Sequence, residues 1–593
     1  MNRTIQDLLQ RINADVLMKI ARKLGLQKNL RRKQELVNGI KEHLQRRLPE
    51  VVAQLSETER LFLAEAVNMS SCTHPVSFSA KYGAPCPFPT RYGDYDSLLN
   101  ILLGEEYGEP RIPEALTDEL RRILPEPRQA SIQIVEEIPT LHNVPGRWGR
   151  KATTRPVRVH EGHRMALDEL RRVLNLAQAG RIRVAHKTKR PTEASVREID
   201  KVLVGPDFDL EDPENQDWKY YEQAGSVRAH AWGVLLQQCK WAKPRANKLS
   251  LTPSGKKILA TMDIEMFRRG VDQMITNDSF DELNRINHIK GQSGIGKRYL
   301  SNPIYRKDLI IESIREWPVN QWISFDEVFR FVYADGCGYG VTGAAHYLYF
   351  CERRYGYLSG AEHEINKQYL RAFLFESSAT LGLIDVAYTY PHGLWPELRG
   401  TWGTDDMAFC GRYDGLLYVR LNDFGAYCMN KTDTYEPTRH TESLEFKVLP
   451  THEIIFLTDS PISPPDQCRL DFFSIETGDH SRKIDERRIL GHLENGGTID
   501  EILDFLETHS SVEIPDTIKA LLSDMQKKAS AITNVEDALL VTFDDDWSAF
   551  LIANDSNAKK YCLAAGDRHL VVPRKNVRGF ENAIKKLGYV LPK

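Results

Sequence analysis

The sequence predicts a multidomain α+β protein, and three observations carry that expectation. The chain has 593 residues, more than one hydrophobic core can serve, which corresponds to roughly three to five domains. Apolar residues recur at helical spacing in some segments and at strand spacing in others. A short phrase also occurs twice: Lys248-Leu-Ser-Leu-Thr-Pro-Ser-Gly255 and Tyr418-Val-Arg-Leu-Asn-Asp-Phe-Gly425 share the order strand, Thr or Asn, two residues, Gly, apolar helical stretch.

At the N-terminus, Ile5, Leu8, Ile12, Leu17, Ile20 and Leu24 fall near helical spacing, Gly25 is a stop, and Leu36, Ile40, Leu44 and Leu48 repeat every four residues. The intervening turn is basic, with Lys28, Arg31, Arg32 and Lys33. This pattern resembles the SAP-type helical hairpin, a small DNA-associated module, and the resemblance implies DNA contacts from Arg31, Arg32 and Lys33. Ser56 and Glu59 form a capping box that opens a further helix through Val67, closing a helical region over 1–68. Residues 69–163, rich in Pro, Gly and Tyr, read as an irregular connector.

The repeated phrase makes physical sense as a strand that delivers an N-cap residue, Thr252 or Asn422, to a new helix. Pro253 then occupies the first helical position, where its missing N–H costs nothing. Two copies imply two winged-helix domains. The first spans 164–262: a helix Met165–Ala179 stopped by Gly180, a short strand Arg181–Val184, a basic turn, and a second helix from Thr192 to Val204, with Ser195 and Glu198 as its capping box. In a helix-turn-helix the second helix lies in the major groove and its first turn faces phosphate. Residues 147–190 carry thirteen Arg and Lys against three acids, which calls for a polyanion. Arg181, Arg183, Lys187, Thr188, Lys189, Arg190 and Arg197 are therefore the expected DNA contacts.

The second winged helix spans 303–432, with an apolar face from Leu309, Ile310 and Ile314, a capped helix from Ser324 through Val332, a helix Tyr369–Leu381 stopped by Gly382, and a strand Leu383–Tyr388. Its exposed charges are mixed, so packing or partner contacts are expected there. Between the two, residues 263–302 read as a basic hinge in which Lys290, Lys297 and Arg298 touch phosphate as point charges.

From Leu444 the order is strand, strand, helix, strand and three helices, with Thr498 and Glu501 as a capping box, Ile502, Phe505 and Leu506 as a buried stripe, and Pro515 opening the next helix. Gly497–Ser510 followed by Ile514–Lys519 resembles the helicase-associated domain at the N-terminus of XPB-type DNA helicases, over 441–530. Lys187-Thr-Lys-Arg-Pro191 and Trp322-Ile-Ser-Phe-Asp326 resemble bacterial proteins of the same group. Residues 535–593, read as strand, helix, strand pair and helix, resemble its small α/β cap. The layout is similar to that of TFIIH subunits that dock the XPB translocase. The resemblance implies an adapter with a separate helicase, translocase or nuclease subunit as partner, possible settings being bacterial defence or repair.

Catalytic signatures are weaker. Gly291–Arg298 comes within one residue of a phosphate-binding P-loop, but Arg298 stands where magnesium needs Ser or Thr. Pro206-Asp207 and Asp217-Trp-Lys219 match the spacing of a metal-dependent nuclease within what reads as a solvated acidic loop. Asp544, Asp545 and Asp546 precede a helix, where acids are favoured. His160 and His163 lack the i, i+4 spacing of a zinc helix. Nine cysteines occur without a CxxC pair, which argues against a disulfide framework or a zinc site. No apolar run reaches membrane-spanning length. The sequence therefore predicts a cytoplasmic, non-catalytic DNA-binding scaffold without a cofactor. The alternatives are a metal-dependent nuclease built on Asp207, Asp217 and Lys219, and a winged-helix transcriptional regulator.

Overall fold

The computed structural model describes residues 4–26, 32–68, 73–87, 97–106, 109–145, 152–205, 207–208, 210–211, 221–292, 294–352, 356–359, 362–394, 407–435, 444–457, 462, 464–478, 480–494, 496–531 and 536–592. Helices and several small sheets share these residues, a mixed α+β architecture. The chain divides into two compact units, Met1–Glu442 with Ile462–Arg469, and Ser443–Pro461 with Leu470–Lys593. No helix among the described residues is long and apolar enough to cross a membrane.

The first unit begins with α1 (Ile5–Arg11), α2 (Ala14–Lys23), α3 (Lys33–Ala53) and α4 (Glu57–Val67). Gly25 takes φ +71° just after α2, and Ser56 and Glu59 form the expected capping box of α4. Leu17, Ile20, Leu36, Ile40, Leu44 and Leu48 line a core of their own. The described residues of the expected connector carry regular elements: α5 (Pro75–Tyr82), β1 (Gly104–Glu106), β2 (Glu109–Arg111), α6 (Glu114–Ile123), β3 (Leu141–Val144), β4 (Thr153–Pro156) and β5 (Arg158–His160). Its Leu116 and Leu120 complete the N-terminal core.

The middle of the unit repeats one wiring. The first copy runs α7 (Ala166–Gln178), an extended segment 182–184, α8 (Glu193–Asp200), α9 (Arg228–Gln238), the hairpin β6 (Ala242–Arg245) and β7 (Lys248–Leu251), then α10 (Pro253–Thr261). After α11 (Ile264–Ile275) and β8 (Ile289–Lys290), the second copy runs α12 (Pro303–Arg315), β9 (Trp322–Ser324) and α13 (Phe325–Ala334). An inserted pair follows, β10 (Tyr349–Glu352) and β11 (Gly356–Ser359), and then α14 (Glu362–Ala372), a π-helical turn Phe373–Ser378, β12 (Ile384–Tyr388), β13 (Leu416–Leu421) and α15 (Asp423–Cys428). In each copy the first strand pairs with the last: Arg183 bridges Lys248, and β9 pairs with β13.

The repeated phrase has the same geometry in both copies. Thr252 accepts a hydrogen bond from the Gly255 N–H (3.0 Å) and donates to the Lys240 carbonyl (2.7 Å). Asn422 accepts from the Gly425 N–H (2.8 Å) and donates from Nδ2 to the Gly382 carbonyl (3.0 Å). Lys240 and Gly382 both have left-handed φ, +59° and +69°, and each ends the helix before the hairpin. A Cβ on Gly255 would lie 1.9 Å from the Trp241 carbonyl oxygen, and one on Gly425 1.7 Å from that of Leu383. Glycine is there because the new helix starts against backbone.

The two copies pack against each other through α9 and the π turn, and one continuous core runs from Leu170 to Met429. The expected hinge belongs to that core. α11 contributes Phe267, Val271 and Met274, and the glycine-rich loop is folded tightly, since a Cβ on Gly296 would meet the Gly291 carbonyl oxygen at 2.0 Å. The main sheet has the order β5-β12-β13-β9, so the supposed connector supplies an edge strand. α5 lies against α13, where Arg330 donates to the carbonyls of Ala80 (2.5 Å) and Ser131 (2.6 Å) and pairs with Glu327 (2.7 Å).

In the second unit, β14 (Phe446–Val448), β15 (Glu453–Phe456), β16 (Ser474–Gly478) and β17 (Ser481–Ile484) form a sheet of order β14-β15-β17-β16; α16 (Pro464–Asp471), most of which is grouped with the first unit, precedes β16 in the chain. A hairpin thus stands where one strand is expected. Then come α17 (Glu486–Glu494), α18 (Ile499–His509) and α19 (Asp516–Ser530), with the capping box of Thr498 and Glu501 in place and Ile502, Phe505 and Leu506 buried. The last piece is β18 (Ala538–Thr542), α20 (Asp546–Asn554), β19 (Leu563–Ala564), β20 (His569–Pro573) and α21 (Val577–Lys586). Leu570 and Val572 bury one sheet face with Ile552, Phe580 and Ile584 from the helices.

Candidate nucleic-acid interface

The basic block divides between interior and surface. Arg155 is buried and donates to the carbonyls of Tyr390 and His392, Arg158 donates to the Tyr390 hydroxyl (2.7 Å), and Arg172 is buried on α7. Among the expected contacts, Arg183, Lys187, Thr188 and Arg197 are exposed and Lys189 is half-buried. Arg181 bonds Glu198 through Nε (3.1 Å), so part of its charge is already answered. Arg190 turns inward to line a cavity beside Arg285 and Glu376. It leaves the outward set because the turn Ala185–Arg190 closes on itself, with Lys189 at φ +56° and the Ala185 N–H bonded to the Arg190 carbonyl (2.9 Å).

The α8 cap also differs from expectation. Thr192 is the N-cap and accepts from the Ser195 N–H, while the Ser195 hydroxyl accepts from the Arg183 N–H (2.7 Å). Glu198 serves Arg181 and Lys201 (2.8 Å) instead of a capping box.

The arrangement that stands out is a row of cations across three strands. Arg183 pairs with Lys248, and Lys248 pairs with Arg245 across the hairpin. Directly opposed residues project to one face, with strands about 4.8 Å apart, so the three charges span roughly 10 Å. All three are exposed, and none makes an ion pair among the described residues. Like charges directly opposed cost about 0.2–1 kcal/mol per pair unless an anion lies between them. Lys243 adds a further exposed cation on β6. The equivalent register positions in the second repeat are Ser324, Tyr418 and Ala387, without charge. Sequence reading missed Arg245 and Lys248 because their alignment depends on pairing; the visible signal was Lys243-Pro-Arg-Ala-Asn-Lys248, a short turn flanked by cations.

The third helix of each repeat is unavailable as a groove reader. In α9, Arg228, Ala229, His230, Ala231, Trp232, Gly233, Leu235, Leu236 and Gln238 are all buried, and the α14–π segment is equally enclosed from Tyr369 to Ser378. Lys290, Lys297 and Arg298 are exposed, Lys290 donating to the Asn287 carbonyl (3.0 Å), but they sit on another loop that no strand register links to the hairpin. Arg32 and Lys33 are exposed at the start of α3, where the Lys33 Nζ donates to the Gln10 carbonyl (2.8 Å). Arg31 lies outside the described residues.

No known protein-family model matches this chain, and none of the curated proteins is significantly similar to it.

The remaining motif residues are in structural service. Asp207 accepts hydrogen bonds from the backbone N–H groups of Phe208 (2.7 Å), Val227 (3.0 Å), Arg228 (2.9 Å) and Ala229 (3.2 Å), capping α9 from outside. Asp217 and Lys219 lie outside the described residues. Asp545 caps α20 and Asp546 pairs with Arg568 (2.6 Å). His163 bonds Asp385 (3.1 Å), while His160 is buried on β5. Among the described residues no group of three or more potential metal ligands is assembled.

Proposed function

We propose that the chain is a non-catalytic DNA-binding scaffold built on two winged-helix modules, in which the first module grips the phosphate backbone with its wing. The single observation that carries this reading is the unanswered cation row of Arg183, Lys248 and Arg245. Its length of roughly 10 Å is about that of four successive phosphates along one strand, at about 3.4 Å of axial rise each. The wiring of helix, strand, helix, helix and hairpin, with first strand on last, supports the winged-helix reading of both copies. The third helices are buried, so base edges are not read by them, while α8, the helix expected in the groove, leaves Glu193, Ala194 and Arg197 exposed. The capping duty of Asp207 speaks against a nuclease.

The same proposal gives the second unit to a separate helicase, translocase or nuclease subunit, following its resemblance to helicase-associated domains. Exposed apolar residues support a protein partner: Leu540 and Leu563 flank Val571 on the outer face of the β18-β20-β19 sheet, and Trp547 and Phe550 stack on α20.

The test is the salt dependence of DNA binding. Replacing Arg183, Arg245 and Lys248 together by Ala should weaken binding of duplexes of any sequence and lower the slope of log affinity against log salt by roughly 2–3, at about 0.9 per phosphate lost. An unchanged slope would move DNA binding away from this hairpin.

A further inference from the structure

Beside β8 and β10, two loops bring aromatic rings and cations together. Tyr299, at the end of the turn Gly296–Tyr299, stacks on Tyr347 with ring centroids 5.0 Å apart and planes 13° from parallel, and the His346 ring lies 4.1 Å from that of Tyr347. Tyr299 is 44% exposed, and among the described residues no ring other than Tyr347 meets it. A stacked column thus ends on a tyrosine that reaches solvent.

Ordering an exposed side chain costs entropy, and here the backbone beneath the rings meets that cost in advance. The Tyr299 carbonyl accepts from the Gly343 N–H (2.9 Å) and the Thr342 hydroxyl (3.2 Å), and the Ser301 hydroxyl donates to the Gly340 carbonyl (2.6 Å). The loops meet backbone to backbone, since a Cβ on Gly291 would lie 1.9 Å from the Tyr347 carbonyl oxygen. Gln292 ties the first loop to the carbonyls of Leu283 (3.1 Å) and Ile289 (2.9 Å).

The charge beside these rings has one sign. Residues 289–300 contain Lys290, Lys297 and Arg298 and no acid, and residues 341–349 contain no acid either. Lys290 turns back to the Asn287 carbonyl. Lys297 and Arg298 are exposed and make no ion pair among the described residues; Glu362 comes up beside Gly340 and answers neither of them. A duplex keeps its base faces inside its own stack, so an exposed ring next to free cations suits an unpaired strand, whose bases stack on aromatic side chains while its phosphates meet Lys and Arg.

We propose that these two loops bind single-stranded DNA, with one base stacked on Tyr299 in continuation of the column over Tyr347, and with Lys297 and Arg298 on the phosphates beside it. The site goes beyond the hairpin's grip on duplex backbone and does not depend on it, because β8 and β10 belong to a different sheet from β6 and β7.

The experiment is fluorescence anisotropy of a fluorescein-labelled oligothymidylate of about ten nucleotides, a usual length for such sites. The protein is the full chain with Arg183, Arg245 and Lys248 already replaced by Ala, so that the hairpin row is silent. An abasic oligomer of the same length offers the same phosphates without bases. The expected result is that the oligothymidylate binds roughly tenfold or more tighter than the abasic oligomer. Tyr299→Leu should remove that difference and Tyr299→Phe should keep it, with thermal midpoints equal to the parent's showing that both variants fold. Replacing Lys297 and Arg298 by Ala should lower the salt slope by about 1.4, at about 0.7 per phosphate on a single strand. Equal affinity for the two oligomers, or a preference that Tyr299→Leu leaves unchanged, would overturn the proposal by reducing the loops to point charges. Binding of neither oligomer would overturn it as well and leave the rings to a protein partner, without touching the hairpin, whose own test uses duplexes.

Discussion

Two buried imidazoles, His160 on β5 and His230 on α9, set a pH dependence at the scale of single residues. Burial pushes both below the ordinary histidine value, helped by Arg228 and His163 around His160; at His230, contact with Glu376 pulls upward while Arg285 and Arg190 push down. The unfolded chain therefore binds more protons than the folded protein below about pH 6.5. Stability is fully present above that pH and declines as pH falls below it. Denaturant midpoints measured from pH 8 to pH 5 check this, and His160→Phe should flatten part of the decline; a midpoint independent of pH over that range would contradict it. Neither burial was legible in the sequence, where His160 only failed a zinc spacing. Asp207 makes the same point: its partners are the backbone amides of Val227, Arg228 and Ala229, some twenty positions downstream, so its acidic neighbourhood read as solvated loop.

Among elements, the capped helix after each hairpin was the most legible. Thr252 and Asn422 occupy the cap in both copies, and the glycine three residues later is required by a backbone carbonyl in the way. Gly255→Ala and Gly425→Ala are each expected to destabilise by about 3 kcal/mol or more, because backbone has to move to admit the methyl group. Gly491→Ala, inside α17 where a Cβ meets nothing within 4 Å, is expected to stabilise by about 1 kcal/mol through helix propensity. Urea melts of the three variants check the set; a Gly255→Ala protein as stable as the parent would refute the packing argument. The helix α9 was not legible, since residues buried on all sides leave no polar face to mark a helical period. The π turn was missed for a related reason: the stretch Tyr369–Leu381 is apolar enough to pass for regular helix, and the shift that presents Glu376 to Arg285 depends on a partner from another element.

Within the first unit, both repeats share one core. Gly255→Ala and Gly425→Ala should consequently lower the same calorimetric transition, although they lie in different copies. Two transitions, each shifted by only one variant, would show that the copies unfold separately and would restore the hinge between them. Packing back to back through α9 and the π turn also explains the division of labour proposed here. The third helix of each copy is consumed in the core, and the charged hairpin remains outward on the first copy.

From its amino acids alone, this protein declares the mixed α+β class, the caps and stops of its helices, and a duplicated strand-cap-glycine phrase, because each of these is decided within a few residues by hydrogen bonding and apolar period. Tertiary structure alone decides which cations face outward, which acids act as caps, and that Arg183, Lys248 and Arg245 share a row. Those outcomes depend on strand register and on contacts between distant segments, and a one-residue shift of register would send the same charges to the opposite face.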